Sequence, residues 1–488
     1  MQLLASDDFS GVLRSLPQSK DWVNYQLLVR CEPLRNWANI RCAHDCLRNS
    51  LMQIDIGSPD VTVVGGGVAG MAASIHLAKA GLQVLCIEPD VDDKDPVGES
   101  LDWSAPDLLS QLELPMERLL KDGAATWKRH VILKLRGGAE QHYVPSDWLA
   151  RPPFNVELRT LHVDRTQLDR ALRAILLKCG VKLLPDRVIQ VERNEKHVDA
   201  VITASGIRIC SRWFVDASGS AASLFPRAFE LPLHEFGPRK VAMWDYFNVP
   251  ESVEGTTLYA DGEGPPYMEW VWQIPIHANT VGVGYVSTGN MVKEKRQQGM
   301  SVEEIFERQL SLFPELGKLL QPSHTLSLRT TSYRCRAYSK VSGPNWLVVG
   351  ESAAMVDPMT SNGVTAALRH ALEASTLIAR YRNRKQLPWL HRTMYNRRVF
   401  SMARFFNSGI EKVIYDWPIR NRVGALLAGD VYTIPAWSIN NIYSRLQPLG
   451  VMSTLLFGLF LATLRWTMNL LYWFCRRSRT NSPACATS

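Results

Sequence analysis

Val-Thr-Val-Val-Gly-Gly-Gly-Val-Ala-Gly, running from Val61 to Gly70, is the stretch whose reading decides the fold. Its first four residues form a β-branched run that reads as a buried parallel strand. Gly65, Gly67 and Gly70 then fit G-x-G-x-x-G, with Val68 and Ala69 inside the motif. A helical pattern through Met71–Ala80 stops at Gly81, and a second strand, Gln83–Ile87, ends at Glu88. Glycines here permit a tight turn and a close backbone approach to a pyrophosphate, which sits on the helix N-terminus. Glu88 lies 18 residues past Gly70, at the strand end where a carboxylate binds ribose hydroxyls. Strand, motif, helix, strand and acid in register predict a dinucleotide-binding unit and an α/β fold.

Later segments return to that unit. Arg-Trp-Phe-Val-Asp-Ala-Ser-Gly (212–219) puts Asp216 and Gly219 after an apolar strand, as a third nucleotide-side strand and turn would require. Asn345–Glu351 is another buried strand ending in a glycine and an acid. Asp357-Pro358-Met359-Thr360-Ser361-Asn362-Gly363-Val364 then opens a helix that runs to about Arg380. Between these, residues 240–290 alternate as strands and read as an antiparallel sheet of a second, substrate-side domain. Residues 103–121, 163–180 and 302–320 read as helices. The expected organisation is an N-terminal extension of unknown role (1–56) and an interleaved pair of domains (57–380). In that pair a Rossmann-type nucleotide domain takes 57–135, 155–225 and 340–380, and the substrate-side sheet takes 136–154 and 226–339. A helical region (381–450), a hydrophobic helix (451–475) and a basic, polar tail (476–488) follow.

Composition narrows the partners. Hydrophobic residues make up 46% and charged residues 21% of the 488, which describes a globular chain. A net charge of +8 without a basic run excludes a nucleic-acid binder and suits cofactor phosphates or anionic lipid. The nine cysteines form no C-x-x-C or other metal spacing, so no metal is expected, and the odd count fits a reducing compartment. Residues 1–20 contain Asp7 and Asp8 and no long apolar core, which does not support a secretory signal. Val451–Cys475 is apolar except for Arg465 and Asn469, and Arg476, Arg477 and Arg479 follow. It reads as membrane-seeking, either spanning with a snorkelling Arg465 or lying in the interface; a plain buried core helix is the other reading. The catalytic body is expected on the cytoplasmic side.

Three motif clusters together carry a resemblance. Residues 61–88, Asp216–Gly219 and Gly350–Val364 are similar to the flavin-dependent monooxygenases that include aromatic hydroxylases. Trp270-Val271-Trp272-Gln273-Ile274-Pro275 matches W-x-W-x-I-P, the marker of the flavin-dependent halogenases among them, and Gly98-Glu99-Ser100 resembles their G-E-S. Ser332-Tyr333-Arg334 before Trp346, and Asp357-Pro358 with Ser361 and Gly363, also fit that family.

The resemblance implies FAD, reduced by a separate flavin reductase, together with O2, a halide and an electron-rich aromatic substrate. It implies FAD contacts at Gly65, Gly67, Val68, Ala69, Gly70, Glu88, Glu99, Ser100 and Arg165. Further along the chain it adds Asp216, Gly219, Glu351, Pro358, Gly363 and Val364. Hypohalous acid would travel to a lysine in a dry tunnel; Lys128, 29 residues past Glu99, has about the family spacing, and Lys121 competes with it. A strand-edge surface lysine is the plain reading of Lys128. Ser361-Asn362-Gly363 at a helix N-terminus would hold the halide, unless it only starts the helix. Trp270 and Trp272 would keep substrate from the flavin, or are core tryptophans of a sheet.

Departures matter too. Gly350-Glu351-Ser352 stands where the family has G-D-A, and Asp102-Trp103-Ser104 replaces the usual stretch after G-E-S. Thr360 replaces the glutamate of tryptophan halogenases, which argues against free tryptophan; the expected substrate is a lipophilic or carrier-tethered aromatic. A hydroxylase, epoxidase or isoprenoid-type reductase acting on a membrane lipid is the alternative enzyme. A degenerate flavoprotein serving a biosynthetic complex is the non-enzyme alternative.

Overall fold

The computed structural model describes residues 57–89, 97–136, 140–143, 160–252, 254–261, 267–321, 325–416, 418–422 and 450–480, together with residues 152, 439, 442, 443 and 446. The extension expected at 1–56, most of the sheet segment expected at 136–154, residues 423–438 of the expected helical region and the tail beyond residue 480 lie outside the described residues.

Five short strands form a parallel sheet in the order Trp346–Val348, Trp213–Asp216, Val61–Val64, Val84–Ile87, Lys182–Leu184. Every pair in it is parallel. The β-branched and apolar runs are there because both faces are covered: Val61–Val64, Val84–Ile87 and Trp213–Asp216 are buried at every position. Helix α1 (Val68–Lys79) follows the glycine motif and packs between α2 (Arg165–Lys178) and α3 (Gly363–Arg380). Asp164 caps α2 by accepting from Gln167 N, and Ser375 of α3 donates to Ala73 O of α1 at 3.1 Å. The nucleotide unit read from the sequence is therefore present, with the later strands at Trp213 and Trp346 added to its edge.

The second sheet has eight strands, ordered Ala354–Met355, Arg329–Tyr338, Leu233–Asn248, Thr280–Thr288, Trp270–His277, Thr256–Ala260, Val131–Leu135, Glu140–Tyr143. The expectation of a purely antiparallel sheet is corrected at one seam: Thr256–Ala260 and Val131–Leu135 run parallel. These two strands are joined by a connection of more than 100 residues, long enough for the crossover that parallel pairing needs. The expected 103–121 helix is also two, Ala105–Gln111 and Met116–Lys121, broken where Glu113 takes φ 65 just ahead of Pro115.

Side chains alternate across this sheet as its pleat requires. Trp270, Trp272, Ile274 and Ile276 share a core with Met402, Phe405 and Phe406 of α4 (Trp389–Gly409) and with Phe457 and Leu461 of α5 (Val451–Thr480). Val271, Val283 and Tyr285 point the other way, onto the helix Val302–Leu310. Helix α5 is apolar enough to cross a bilayer by length and composition, but one stripe of it is spoken for. Thr454, Phe457, Leu461 and Cys475 are buried, with Leu464, Met468 and Tyr472 packed beside them. Met452, Leu456, Leu459, Trp466, Trp473 and Phe474 are exposed.

Gly284 shows how closely the middle strands fit. It sits opposite Trp272, and a Cβ added there would stand 2.0 Å from the indole. Gly284→Ala must displace Trp272, and a destabilisation of about 1–3 kcal/mol is expected from such overpacking. Gly282→Ala meets the ring of Tyr246 at 3.2 Å and Ile276 at an ordinary 3.7 Å, and should cost less. Thermal unfolding of the two variants side by side checks the ranking.

Candidate active site

The glycine motif forms an open cradle. Gly65 has φ 102, and a Cβ there would stand 2.2 Å from Ala217 O; at Gly70 one would stand 1.8 Å from Gly65 O. Only glycine allows the turn to close so tightly against the start of α1. At Gly67 a Cβ would meet nothing within 4 Å, so the turn faces open space at the positive end of α1. Buried Glu88 ends the second strand and accepts from Gly66 N.

Several other residues singled out in the sequence are occupied with the fold itself. Asp216 is fully buried and accepts from Ser218 N at 2.9 Å, Ser218 Oγ at 2.6 Å and Phe225 N at 2.7 Å. Burial pushes its carboxyl up, against those hydrogen bonds. Gly219, with φ 83, donates to Ser352 Oγ at 2.7 Å and so joins that turn to Gly350–Ser352, from which Glu351 is exposed. Arg165 donates to Val97 O and pairs with Asp169 at 3.3 Å. Glu99 accepts from Tyr246 OH at 2.7 Å, and Val364 is buried in the first turn of α3.

The structure separates the two candidate lysines. Lys121 is exposed at the end of its helix, whereas Lys128 is 2% exposed on the short strand Ala125–Lys128. Lys128 Nζ donates to Leu101 O at 2.9 Å and to Ser361 Oγ at 3.3 Å, and stands 4.7 Å from the Trp103 ring centre. Burial pushes this ammonium down to about 7, with Asp102 opposing. Lys128 and Ser361, 233 residues apart, thus meet at one point. Ser361 Oγ also donates to Ser100 Oγ at 3.0 Å, which contacts Thr256 Oγ1 at 3.2 Å and through it His162 Nε2 at 2.8 Å. Burial and the nearby Lys128 keep His162 neutral, well below its ordinary range.

Ser361 reaches that point because Pro358–Thr360 makes a single tight turn that ends with Ser361 at φ 58, in left-handed backbone. The Asp357 side chain accepts from Met359 N at 3.1 Å and fixes the turn. Asn362 and Gly363 follow at the N-terminus of α3.

Asp357 also anchors a buried network that the sequence did not announce. Trp270 Nε1 donates to Tyr415 OH at 3.0 Å, and Tyr415 OH donates to Asp357 Oδ1 at 3.1 Å. Lys240, wholly buried, lies 3.2 Å from Asp357 Oδ2, pairs with Glu411 and stands 4.4 Å from the Tyr415 ring centre. Tyr267 OH donates to Glu411 Oε2 at 2.9 Å. Burial alone would lower the Lys240 ammonium, but Asp357 and Glu411 outweigh it and hold it above its ordinary range. The one sequence signal was a lysine opening an otherwise apolar strand, Lys240-Val241-Ala242-Met243-Trp244. Trp272 is buried on the same face as Trp270, their ring centres 5.8 Å apart. Among the described residues no His, Cys, Asp and Glu group could hold a metal.

The profile of the tryptophan halogenase family matches residues 149–408, more than half of the chain, and that of an FAD binding domain matches residues 60–105. The chain belongs to the tryptophan halogenase family. Flavin-dependent halogenase armH1 of Armillaria mellea is 27% identical over 354 residues, covering 66% of this chain and 65% of armH1. Tryptophan 2-halogenase of Chondromyces crocatus is 28% identical over 341 residues, covering 66% of this chain and 61% of that protein. The chain thus spans slightly less than two thirds of the length of these family members. A triple mutant of the flavin-dependent brominase Bmp2 shares the fold, with a TM-score of 0.67 over 83% of this chain and 99% of its own, at 20% identity.

FAD is the cofactor that goes with this family and with the matched FAD-binding segment. The cradle fits it: Gly65 and Gly70 leave the turn no room for side chains, and Gly67 opens to space at a helix N-terminus. Gly65, Gly67 and Gly70 would hold the pyrophosphate, and the acid at Glu88 marks the ribose side.

The lowered Lys128 pKa has a stability consequence. Its ammonium loses its proton near pH 7 in the fold and near 10.5 when unfolded, so between these values the unfolded chain binds the extra proton. Stability therefore rises with pH across that window, by up to about 1.4 kcal/mol per pH unit from this group. Lys128→Met removes the term, so its unfolding free energy between pH 7 and 9 should be flatter than that of the wild type. Parallel curves in chemical denaturation would show Lys128 to be charged in the fold.

Proposed function

We propose that the chain is an FAD-dependent halogenase that halogenates an electron-rich aromatic ring, with reduced flavin supplied by a separate reductase. The observation that carries this reading is Lys128: buried, near neutrality in pKa, and hydrogen-bonded to Ser361 of the turn that opens α3. Bound reduced FAD would supply two of the four electrons that O2 takes up and the halide the other two, giving hypohalous acid and water. The Ser361-Asn362-Gly363 turn would present the halide with the N–H of Gly363 and the positive end of α3, the N–H of Ser361 being given to Pro358 O at 2.9 Å. Lys128 would then hold the hypohalous acid by hydrogen bonding, or its neutral amine would take the halogen as a haloamine with release of water, in a buried place between Leu101 O and the Trp103 ring. Trp270 and Trp272 would keep the substrate from the flavin on the sheet side; the hydroxyl of Tyr415 accepts from the first of them. Thr360, in place of a glutamate, speaks against free tryptophan, and we take the substrate to be a lipophilic or carrier-tethered aromatic.

Lys128→Ala should abolish halogenation while FAD still binds and reduced flavin is still reoxidised by O2. Mass spectrometry of a phenol incubated with bromide reads the halogen isotope doublet. A doublet retained in the variant removes Lys128 from the chemistry. Reoxidation that ignores bromide in the wild type would favour a hydroxylase, epoxidase or reductase instead.

Independently of the halogenase reading, we propose that the catalytic body sits on the cytoplasmic face of a membrane, with α5 flat against the lipid. Its support is the stripe from Thr454 to Cys475, packed against the body over the length of the helix, which a transverse span would have to abandon. The exposed Leu459, Trp466 and Trp473 would enter the interface, with Arg476 and Arg477 at the headgroups. Flotation with anionic vesicles should carry the wild type and lose a Leu459→Ser/Trp466→Ser/Trp473→Ser variant of unchanged melting temperature. Release of the wild type by alkaline carbonate would separate this geometry from a span.

A further inference from the structure

Behind the Ser361–Gly363 turn, between the first two turns of α3 and the middle of α4, lies a cavity of about 30 Å³. That exceeds the roughly 10–15 Å³ a buried water needs. Asn362 lines it, so the cavity backs directly onto the turn. Val399, Met402 and Phe406 give it an apolar floor. Three polar side chains in its wall are each at least nine-tenths buried: Thr365, His370 and Tyr443. Thr365 Oγ1, His370 Nδ1 and Tyr443 OH have no hydrogen-bond partner among the described residues. Buried polar atoms without partners are rare, and three converging on one small space point to an occupant.

The chemistry of the wall identifies its class. Both hydroxyls can donate, and so can Nδ1–H of a neutral imidazole. Burial, and then the charge of Arg369, hold His370 at a pKa of about 4, so it is neutral at ordinary pH. The guanidinium of Arg369 forms part of the wall; Glu373, just behind it, pairs with Arg369 at 2.9 Å and with Arg398 at 3.0 Å, so that this buried trio keeps one net positive charge, and none of the described lining residues is acidic. Asn362, Thr365 and Ala366 belong to the N-terminal end of α3, an 18-residue helix whose positive dipole end favours an anion. Donors, a cation, a helix N-terminus and polarisable apolar contacts in so small a volume suit a single monatomic anion better than water.

We propose that this cavity is a second anion site, which holds one halide ion behind the Asn362 turn and stages it for the flavin side. The identity of the anion rests on the halogenase reading; the site itself rests on Thr365, His370 and Tyr443. Halide held here needs only to pass Asn362 to reach the turn proposed to present it to the flavin.

The test is anomalous diffraction from crystals of the FAD-loaded protein soaked in sodium bromide, paired with bromide kinetics. A bromide peak is expected within hydrogen-bond reach of Thr365 Oγ1 and Tyr443 OH, and it should vanish in Thr365→Val and Tyr443→Phe. The same variants should raise the KM for bromide about tenfold, equivalent to about 1.4 kcal/mol, with kcat and FAD affinity unchanged. Each substitution removes a polar atom that has no protein partner, so melting temperatures in halide-free buffer should hold or rise. A cavity filled only by water at saturating bromide overturns the proposal. So does a peak accompanied by an unmoved KM, which would mean binding at crystal concentration only. A bromide peak with the expected loss in both variants, in a protein that makes no halogenated product, would keep the anion site and sink the halogenase reading.

Discussion

The buried carboxylate of Asp357 is the constraint on which the rest of the site depends. It caps the Pro358–Thr360 turn and so delivers Ser361 in left-handed backbone to Lys128. Its other contacts reach the substrate-side sheet: Tyr415 OH, which in turn holds Trp270, and the ammonium of Lys240. Its backbone N–H is taken by Asn407 of α4 at 3.0 Å. One residue thereby ties the nucleotide domain, the eight-stranded sheet and the C-terminal helices to a common point. A buried anion is stable only when so surrounded, and the surroundings are ordered by it in return.

Two buried lysines show opposite solutions to the same cost. Lys240 is given carboxylates, Asp357 and Glu411, and stays charged despite complete burial. Lys128 is given a carbonyl, a hydroxyl and an indole face, and its ammonium weakens to near neutrality. The first arrangement suits a strut, because a paired charge resists displacement. The second suits chemistry at pH 7, because an amine that gives up its proton there can accept or hold an electrophile.

The eight-stranded sheet separates these roles in space. Its Trp270 face carries the network and packs on α4 and α5, while its Val271 face packs on the helix Val302–Leu310. Helix α5 completes the first core with one stripe and leaves its remaining apolar surface outside. The same helix that closes the protein is therefore the one with apolar surface to spare.

What the sequence by itself determined was the repeating and the local: β-branched runs, the glycine motif with Glu88, the W-x-W-x-I-P strand and the helix opened at Gly363. Those features are legible because strand and helix periods, and the special backbone of glycine, act over a few residues. Family membership followed from the same stretches. The sequence put Lys128 first and Lys121 beside it; only the tertiary structure showed that the two, seven residues apart, differ in burial. It turned Asp216 inward onto its own turn, and it joined Lys240 to Glu411 across 171 residues. It also packed one stripe of the apolar C-terminal helix against α4 and the Trp270 face of the sheet. Burial and charge pairing are properties of what surrounds a side chain in space, and no local pattern carries them.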